Sequence, residues 1–208
     1  VISWIVASNQ PDVLEANLLA SLPDQDGDEV IIVPDPESIT EAYAYGQGKA
    51  SRPIRVYVHS DVQILDPAKL RRALRTACHE AGMVGVIGSR TAVMPWWEGD
   101  KLGSVVDARL GLLDFGPGGP CAVVDGLLLA TVHHVDWDLD WPGFHGYDQD
   151  SCQQMLGRGL RNWCLTGGHN LVRHNTTGST DTSQLTGWSE AVQRFRAKWP
   201  SNQGERHG

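Results

Sequence analysis

Lysine and arginine are absent between Arg109 and Arg158. Seven aspartates occupy that stretch, Asp114, Asp125, Asp136, Asp138, Asp140, Asp148 and Asp150, and they carry nearly all of the net charge of −8. An acidic chain argues against a broad nucleic-acid-binding face. A local acid cluster instead suits a cation, or a base for proton abstraction. Long apolar runs are also missing: none approaches the roughly 18 residues of a membrane span. The apolar start, Val1 to Ser8, is too short and lacks the basic flank of a signal peptide. The four cysteines, Cys78, Cys121, Cys152 and Cys164, show no C-x-x-C spacing. That pattern argues against a structural zinc site and a disulfide framework, so buried, reduced thiols in a cytoplasmic protein are expected. There is no G-x-x-x-x-G-K-S/T, no G-x-S-x-G, no H-E-x-x-H, and no G-x-G-x-x-G after the first apolar segment. The usual ATPase, α/β-hydrolase, zincin and dinucleotide-binding readings thereby lose their main signal. Phenylalanine is scarce, with three residues against eight tryptophans.

What is present alternates regularly. Short apolar runs at 2–7, 29–33, 54–58 and 83–87 read as buried strands. Between them, 11–22, 37–49 and 66–81 read as helices, the first opened by Pro11 and the third capped by Asp66 with Pro67 behind it. This alternation implies an α/β fold with a mostly parallel, doubly wound sheet and helices on both faces. Ligands bind such sheets at the carboxyl ends of the strands. Ser8-Asn9, Asp35 and His59-Ser60-Asp61 occupy those tips and are expected to converge on one edge. After Gly88 the regularity breaks. Residues 89–120 read as irregular, 122–131 as a strand interrupted by Asp125-Gly126, 147–158 as a helix, 160–165 as a short strand and 189–198 as a final helix. The tail from 200 to 208 is polar and expected to be flexible.

Several residues admit two readings. Asp61, at the tip of a strand, suits either a hard cation or a turn or N-cap. Asp148 and Asp150 fall in the first turn of a helix, where acids are favoured by the helix dipole; one of them also suits a general base. His169 and His174 read as ligands or as satisfied polar groups. Arg158, Arg161 and Arg173 face a phosphate or balance the acids before them. Trp96-Trp97, Trp137 and Trp141 suit sugar stacking or ordinary packing.

Taken in order, "VIIVPD", "SITEAYAYGQGKA", "VYVHSDVQILDP", "VGVIGSR" with "WW", "VVDGLLLAT", "GFHGYDQDSCQQMLGRGL" and "VRHNTTGS" resemble a family-two glycosyltransferase of the glycosyltransferase-A fold. The nearest branch is the streptomycin-biosynthesis-type glycosyltransferase-like domain, which typically reads "FLHDDV", "VDGLFLA", "GFHFYDIDFCLRARxAGY" and "HHSGGS". The likeness covers residues 1–199, with 1–88 as a nucleotide-binding half and 89–199 as an acceptor half of one domain.

The resemblance implies a transferase that moves a sugar from a nucleotide-diphosphate donor, most simply a UDP-sugar, to an acceptor hydroxyl with inversion. It implies Asp61 and His174 as ligands of Mn²⁺ or Mg²⁺, and Asp148 as the catalytic base with Asp150 following in the same motif. Ala7, Asn9, Asp35, Ser60 and Arg173 would face the donor. Trp97, Asp125, Gly126 and His145 would line the acceptor or sugar side. Arg173 or Arg161 would assist the leaving group, and the glycine-rich stretches 116–119 and 167–168 would be mobile loops over the donor. The acceptor is a metabolite, a glycan, a protein or a modified nucleic-acid base held by local cations such as Arg194, Arg196 and Lys198. Four positions depart from the pattern: Ser60 stands where an aspartate is common, Arg173 where a histidine is, and Gln149 and Gly146 where apolar or aromatic residues are. Ser60 keeps open an alternative of another class, a nucleotide-sugar or carbohydrate-binding module on the same scaffold that performs no turnover.

Overall fold

The computed structural model describes residues 1–22, 27–176 and 187–200. The tail expected from 200 to 208 lies, beyond its first residue, outside the described residues, as do positions 177 to 179 of the "VRHNTTGS" motif. Strand–helix alternation builds the first half. β1 (Ile2–Ser8), β2 (Glu29–Pro34) and β3 (Ile54–His59) form a parallel run in the order β2-β1-β3. β1 and β3 are buried through most of their length, whereas β2 alternates buried side with exposed side, as an edge strand does. α2 (Ile39–Lys49) begins at an N-cap: Ser38 Oγ accepts from the Glu41 amide at 3.2 Å. α3 (Pro67–Ala77) begins as expected, with Asp66 accepting from the Lys69 amide at 2.9 Å and Pro67 at the first position.

The helix expected over 11–22 opens at Pro11 as α1 (Pro11–Leu14) and then widens into a π-helical turn over Glu15–Leu19. Beyond β3 the seven-stranded sheet becomes mixed, in the order β2-β1-β3-β11-β5-β12-β9, with β11 (Leu128–Thr131) antiparallel to both of its neighbours. The other members are β5 (Val84–Gly85), β12 (Asn162–Cys164) and β9 (Gly119–Cys121).

A second sheet of six strands runs β10-β6-β7-β13-β4, with β8 paired to β7. Its members are β4 (Val62–Ile64), β6 (Ile87–Ser89), β7 (Lys101–Asp107), β8 (Gly111–Asp114), β10 (Val123–Val124) and β13 (Val172–His174). The strand expected over 83–87 is therefore two strands, β5 and β6, that belong to different sheets. The same holds for 122–131, where β10 and β11 part at Asp125-Gly126. The region 89–120, expected to be irregular, holds the β7–β8 hairpin and β9.

α4 (Tyr147–Gly157) and α5 (Trp188–Lys198) complete the described elements. The core runs between the sheets and under α2 and α4, around Trp4, Ile5, Val58, Leu129 and Cys152. All four cysteines are free and buried. Among the described residues no helix is long and apolar enough to cross a membrane.

Within the glycine stretches 116–119 and 167–168, two glycines are tightly packed. A Cβ on Gly118 would stand 2.1 Å from the Cys164 carbonyl, and one on Gly168 would stand 2.2 Å from the Ser104 carbonyl. Close backbone approach, not freedom to move, explains both glycines.

Candidate functional site

β3 ends at His59, and the turn His59-Ser60-Asp61 leads directly into β4. β13 then pairs antiparallel with β4, in a register that sets His174 opposite Val62. The Asn175 amide donates to the Asp61 carbonyl at 2.9 Å and fixes the crossing. Residues more than a hundred positions apart in sequence are thus brought together by two three-residue strands. His174 Nε2 lies 3.4 Å from Asp61 Oδ1, and one ligand atom from each of His59, Asp61 and His174 lies within 4.8 Å of the others.

The cluster has the chemistry of a cation site. Asp61 Oδ1 is buried and meets only His174, at 3.4 Å, too long and poorly aligned for a good hydrogen bond, an arrangement that a bound cation would relieve. Burial pushes the Asp61 carboxyl up, but the two imidazoles beside it hold it below the usual carboxylate range. Burial lowers His59, which favours the neutral imidazole a metal needs. Burial also pulls on His174, but Asp61, Asp125 and Asp107 more than offset it and raise the group. Two imidazoles and a carboxylate suit a divalent transition ion, so the residues present fit one.

Supporting partners hold both imidazoles. The Tyr147 hydroxyl donates to the Gly126 carbonyl at 3.2 Å. Its oxygen is then free to accept from His59 Nε2 at 2.6 Å, which leaves Nδ1 unprotonated. On the far side of His174, β13 runs parallel to β7 with His174 opposite Asp107. Asp107 Oδ2 lies 3.4 Å from His174 Nδ1, and Thr176 Oγ1 touches that nitrogen at 2.7 Å.

Two cavities meet at this cluster. The first, of about 370 Å³, lies at the carboxyl ends of β1 and β3 and is lined by Ala7, Asn9, Ser60 and Asp61, among others. The second, of about 490 Å³, opens where β10 leaves one sheet and β11 enters the other; Trp97, Asp125, Gly126, Asp148 and His174 line it. His59, Phe144 and His145 line both. Burial alone lowers His145 and favours its neutral form. Trp141 Nε1 donates to the His145 carbonyl at 2.6 Å and fixes this shared wall.

Asp148 and Asp150, inseparable by sequence, diverge. α4 starts at Gly146, whose φ of 75° no bulky residue adopts easily. One turn on, Asp148 is 6% exposed at the floor of the second cavity and takes the Gly126 amide at 3.1 Å. Burial, and then the charge of Asp125, pushes its carboxyl up to about 7. Asp125 itself is fully engaged, with Trp96 Nε1 at 2.8 Å on one oxygen and the Leu127 amide at 2.8 Å on the other. Asp150 points the other way, into α5, and accepts from Lys198 Nζ at 2.9 Å and Trp199 Nε1 at 2.8 Å. It lines neither cavity.

Two expected donor residues also stand apart. Asp35 is exposed at the tip of β2, with a left-handed φ of 44° and its amide on the Ser8 carbonyl at 3.1 Å. Its neighbour Pro36, not Asp35, lines the first cavity. Arg173 is exposed on β13 and lines neither cavity. Arg194 and Lys198, considered as cations for a nucleic-acid base, are engaged with Asp138 at 2.7 and 3.5 Å. Asp138 is therefore paired.

Sequence reasoning had not assigned His59 as a ligand, nor Tyr147, Asp107, Thr176, Phe144 and Trp188 to the site. His59 was visible beside Asp61; the other five carry no spacing signal and are recruited only by the fold.

A family model described as "Glycosyltransferase like family" matches residues 13–195. No curated protein matches the chain. Among solved structures, A197 from STIV aligns over 84% of this chain and 85% of its own, at 10% identity and a TM-score of 0.48. With the family match spanning nearly all of its length, the chain belongs to the glycosyltransferase-like family.

Proposed function

We propose that the protein is a metal-dependent transferase that moves a sugar from a nucleoside-diphosphate donor, most simply UDP-linked, to an acceptor hydroxyl with inversion. The observation that carries this reading is the His59, Asp61 and His174 cluster at the junction of two cavities, with a buried carboxylate in the second. Residues 1–88 supply the donor half and 89–199 the acceptor half. The motifs quoted above keep the streptomycin-biosynthesis-type branch as the nearest within the family.

Ala7, Asn9 and Ser60 line the donor cavity. None of its described lining residues is lysine or arginine, so the diphosphate's charge falls to the cluster. His59, Asp61 and His174 would hold Mn²⁺ or Mg²⁺, with the two imidazoles favouring Mn²⁺, the softer of the pair. Such an ion supplies Lewis-acid neutralisation of the departing diphosphate. Asp148 accepts the proton of the acceptor hydroxyl as that oxygen bonds the anomeric carbon and the bond to the diphosphate oxygen breaks. A carboxyl pushed up to about 7 is matched to that task near neutral pH. One base acting opposite the leaving group gives inversion.

The test is donor hydrolysis and transfer with a UDP-sugar and Mn²⁺. Asp148→Asn is expected to keep donor affinity and lose turnover by about 10²-fold or more. Retained turnover would remove Asp148 as the base. Donor binding by the wild type with no hydrolysis or transfer under any acceptor would leave only a binding module.

A further inference from the structure

The second cavity is unlike a site for a polyhydroxylated acceptor. Much of its wall is apolar and aromatic, including Leu113, Phe115, Phe144, Trp97 and Trp188. Trp97 and Trp188 stack on one another, 5.3 Å between centroids and 24° between planes, at the same cavity. Trp97 remains 40% exposed there. Lys101, the one lysine or arginine of the described lining, sits over the Phe115 ring at 4.9 Å. Each oxygen of Asp125 already accepts one hydrogen bond from the protein. A pyranose acceptor would set several hydroxyls against hydrocarbon, and each unpaired polar group costs free energy.

One polar group is nevertheless waiting. Gln149 lines this cavity, is 1% exposed, and its Oε1 has no hydrogen-bond partner. It stands next to the Asp148 base in the first turn of α4. An orphaned buried acceptor is expensive to keep and calls for a donor from a ligand. A flat ring satisfies the rest: it stacks on an aromatic platform and buries its faces against leucine and phenylalanine.

Resting on the transferase reading above, we propose that the acceptor is an aromatic-ring alcohol. Its hydroxyl reaches Asp148, and a second O–H or N–H on the same ring donates to Gln149 Oε1. Asp148 alone specifies a hydroxyl; the tryptophan pair and Gln149 specify what bears it.

Calorimetric and tryptophan-fluorescence titrations of the full chain test this, with UDP and Mn²⁺ present. The probes are 4-hydroxybenzyl alcohol, benzyl alcohol and methyl β-D-glucopyranoside. Saturable binding of 4-hydroxybenzyl alcohol is expected, about tenfold tighter than benzyl alcohol, with no binding of the glucoside. In Gln149→Leu the gap between the two aromatic probes should close. Trp97→Ala, at a half-exposed position, should weaken both by about tenfold at an unchanged melting temperature. Glucoside binding as tight as the aromatic probes, binding of no probe, or an unchanged affinity in Trp97→Ala would each overturn the proposal. UDP binding with Mn²⁺, titrated alone, reports on the first cavity separately. If UDP binds but the glucoside is preferred, the acceptor class fails and the transferase reading stands. If 4-hydroxybenzyl alcohol binds and UDP does not, the transferase reading fails, and the ring site is then not an acceptor site.

Discussion

At the scale of single residues, the site depends on two closely confined residues, Asp148 and Gly126. Asp148 is buried beside the charge of Asp125, which pushes its carboxyl up to about 7 from an ordinary value near 3.8. The folded protein therefore holds a proton there that the unfolded chain has released. Stability from this group is complete below the unfolded value and is lost as pH rises towards about 7. Asp148→Asn removes the penalty of burying a charge and keeps an acceptor for the Gly126 amide. The variant should gain on the order of 2 kcal/mol over the wild type at about pH 8 and little at about pH 4.5. Urea unfolding at the two pH values measures the difference, and an equal effect at both would mean the carboxyl is not shifted. Gly126 is the second such residue. A Cβ there would stand 2.2 Å from the Tyr147 hydroxyl and 2.7 Å from the ring carbon bearing it. Tyr147 would have to move, and His59 loses its partner with it. Gly126→Ala should cut Mn²⁺ affinity by about tenfold, read by calorimetry; an unchanged affinity would detach Tyr147 from the cluster.

At the scale of elements, α5 explains why the acid-only stretch does not repel itself apart. Arg194 grips Asp138 through two nitrogens at 2.7 and 3.0 Å, and Lys198 reaches Asp150 at 2.9 Å. Arg158, at the stretch's far border, takes Asp136 at 2.5 Å. The cations absent from residues 110–157 are thus returned to it by the chain that follows. Asp150 belongs to this scaffold. Asp150→Asn should leave turnover intact in the folded protein and cost on the order of 2 kcal/mol of stability, because Lys198 and Trp199 lose a charged partner. Thermal melting and transfer kinetics on one preparation separate it from Asp148→Asn, which does the reverse; lost turnover with an unchanged melt would return Asp150 to the catalytic site. The same contrast shows what sequence patterning conveys. β1, β3 and α3 were legible because each carries a full run of strand or helix periodicity with its own cap or turn. β5, β6 and β10 span two or three residues each, too short for any period to register, and their pairing is set by tertiary contact. Asp148 and Asp150 share one turn of one helix, so only the position of α5 distinguishes them.

At the scale of the whole molecule, the two sheets divide the labour. β1 and β3 end in the first cavity, as strand-tip reasoning from sequence anticipated, whereas Asp35 at the tip of β2 stands apart. The second cavity was not legible, because it is made where the chain passes between sheets at Asp125-Gly126, a crossing with no local signature. His174 reaches Asp61 only because β13 is clamped between β4 and β7. This division has a consequence for donor binding. The described lining of the first cavity offers no lysine or arginine, and the chain as a whole is acidic. A nucleoside diphosphate placed there alone meets no compensating charge, so UDP without metal should stabilise the protein little. UDP with Mn²⁺, each near saturation, should stabilise it by about 2.7 kcal/mol at a hundredfold excess over Kd. For a chain of this size that is a rise of roughly 5 to 10 °C in Tm. Asp61→Ala should abolish the joint effect, measured against its own ligand-free melt, because it removes the only carboxylate of the cluster. A full shift with UDP alone would place the neutralising charge elsewhere on the molecule. A full joint shift in Asp61→Ala would remove the cluster from donor binding.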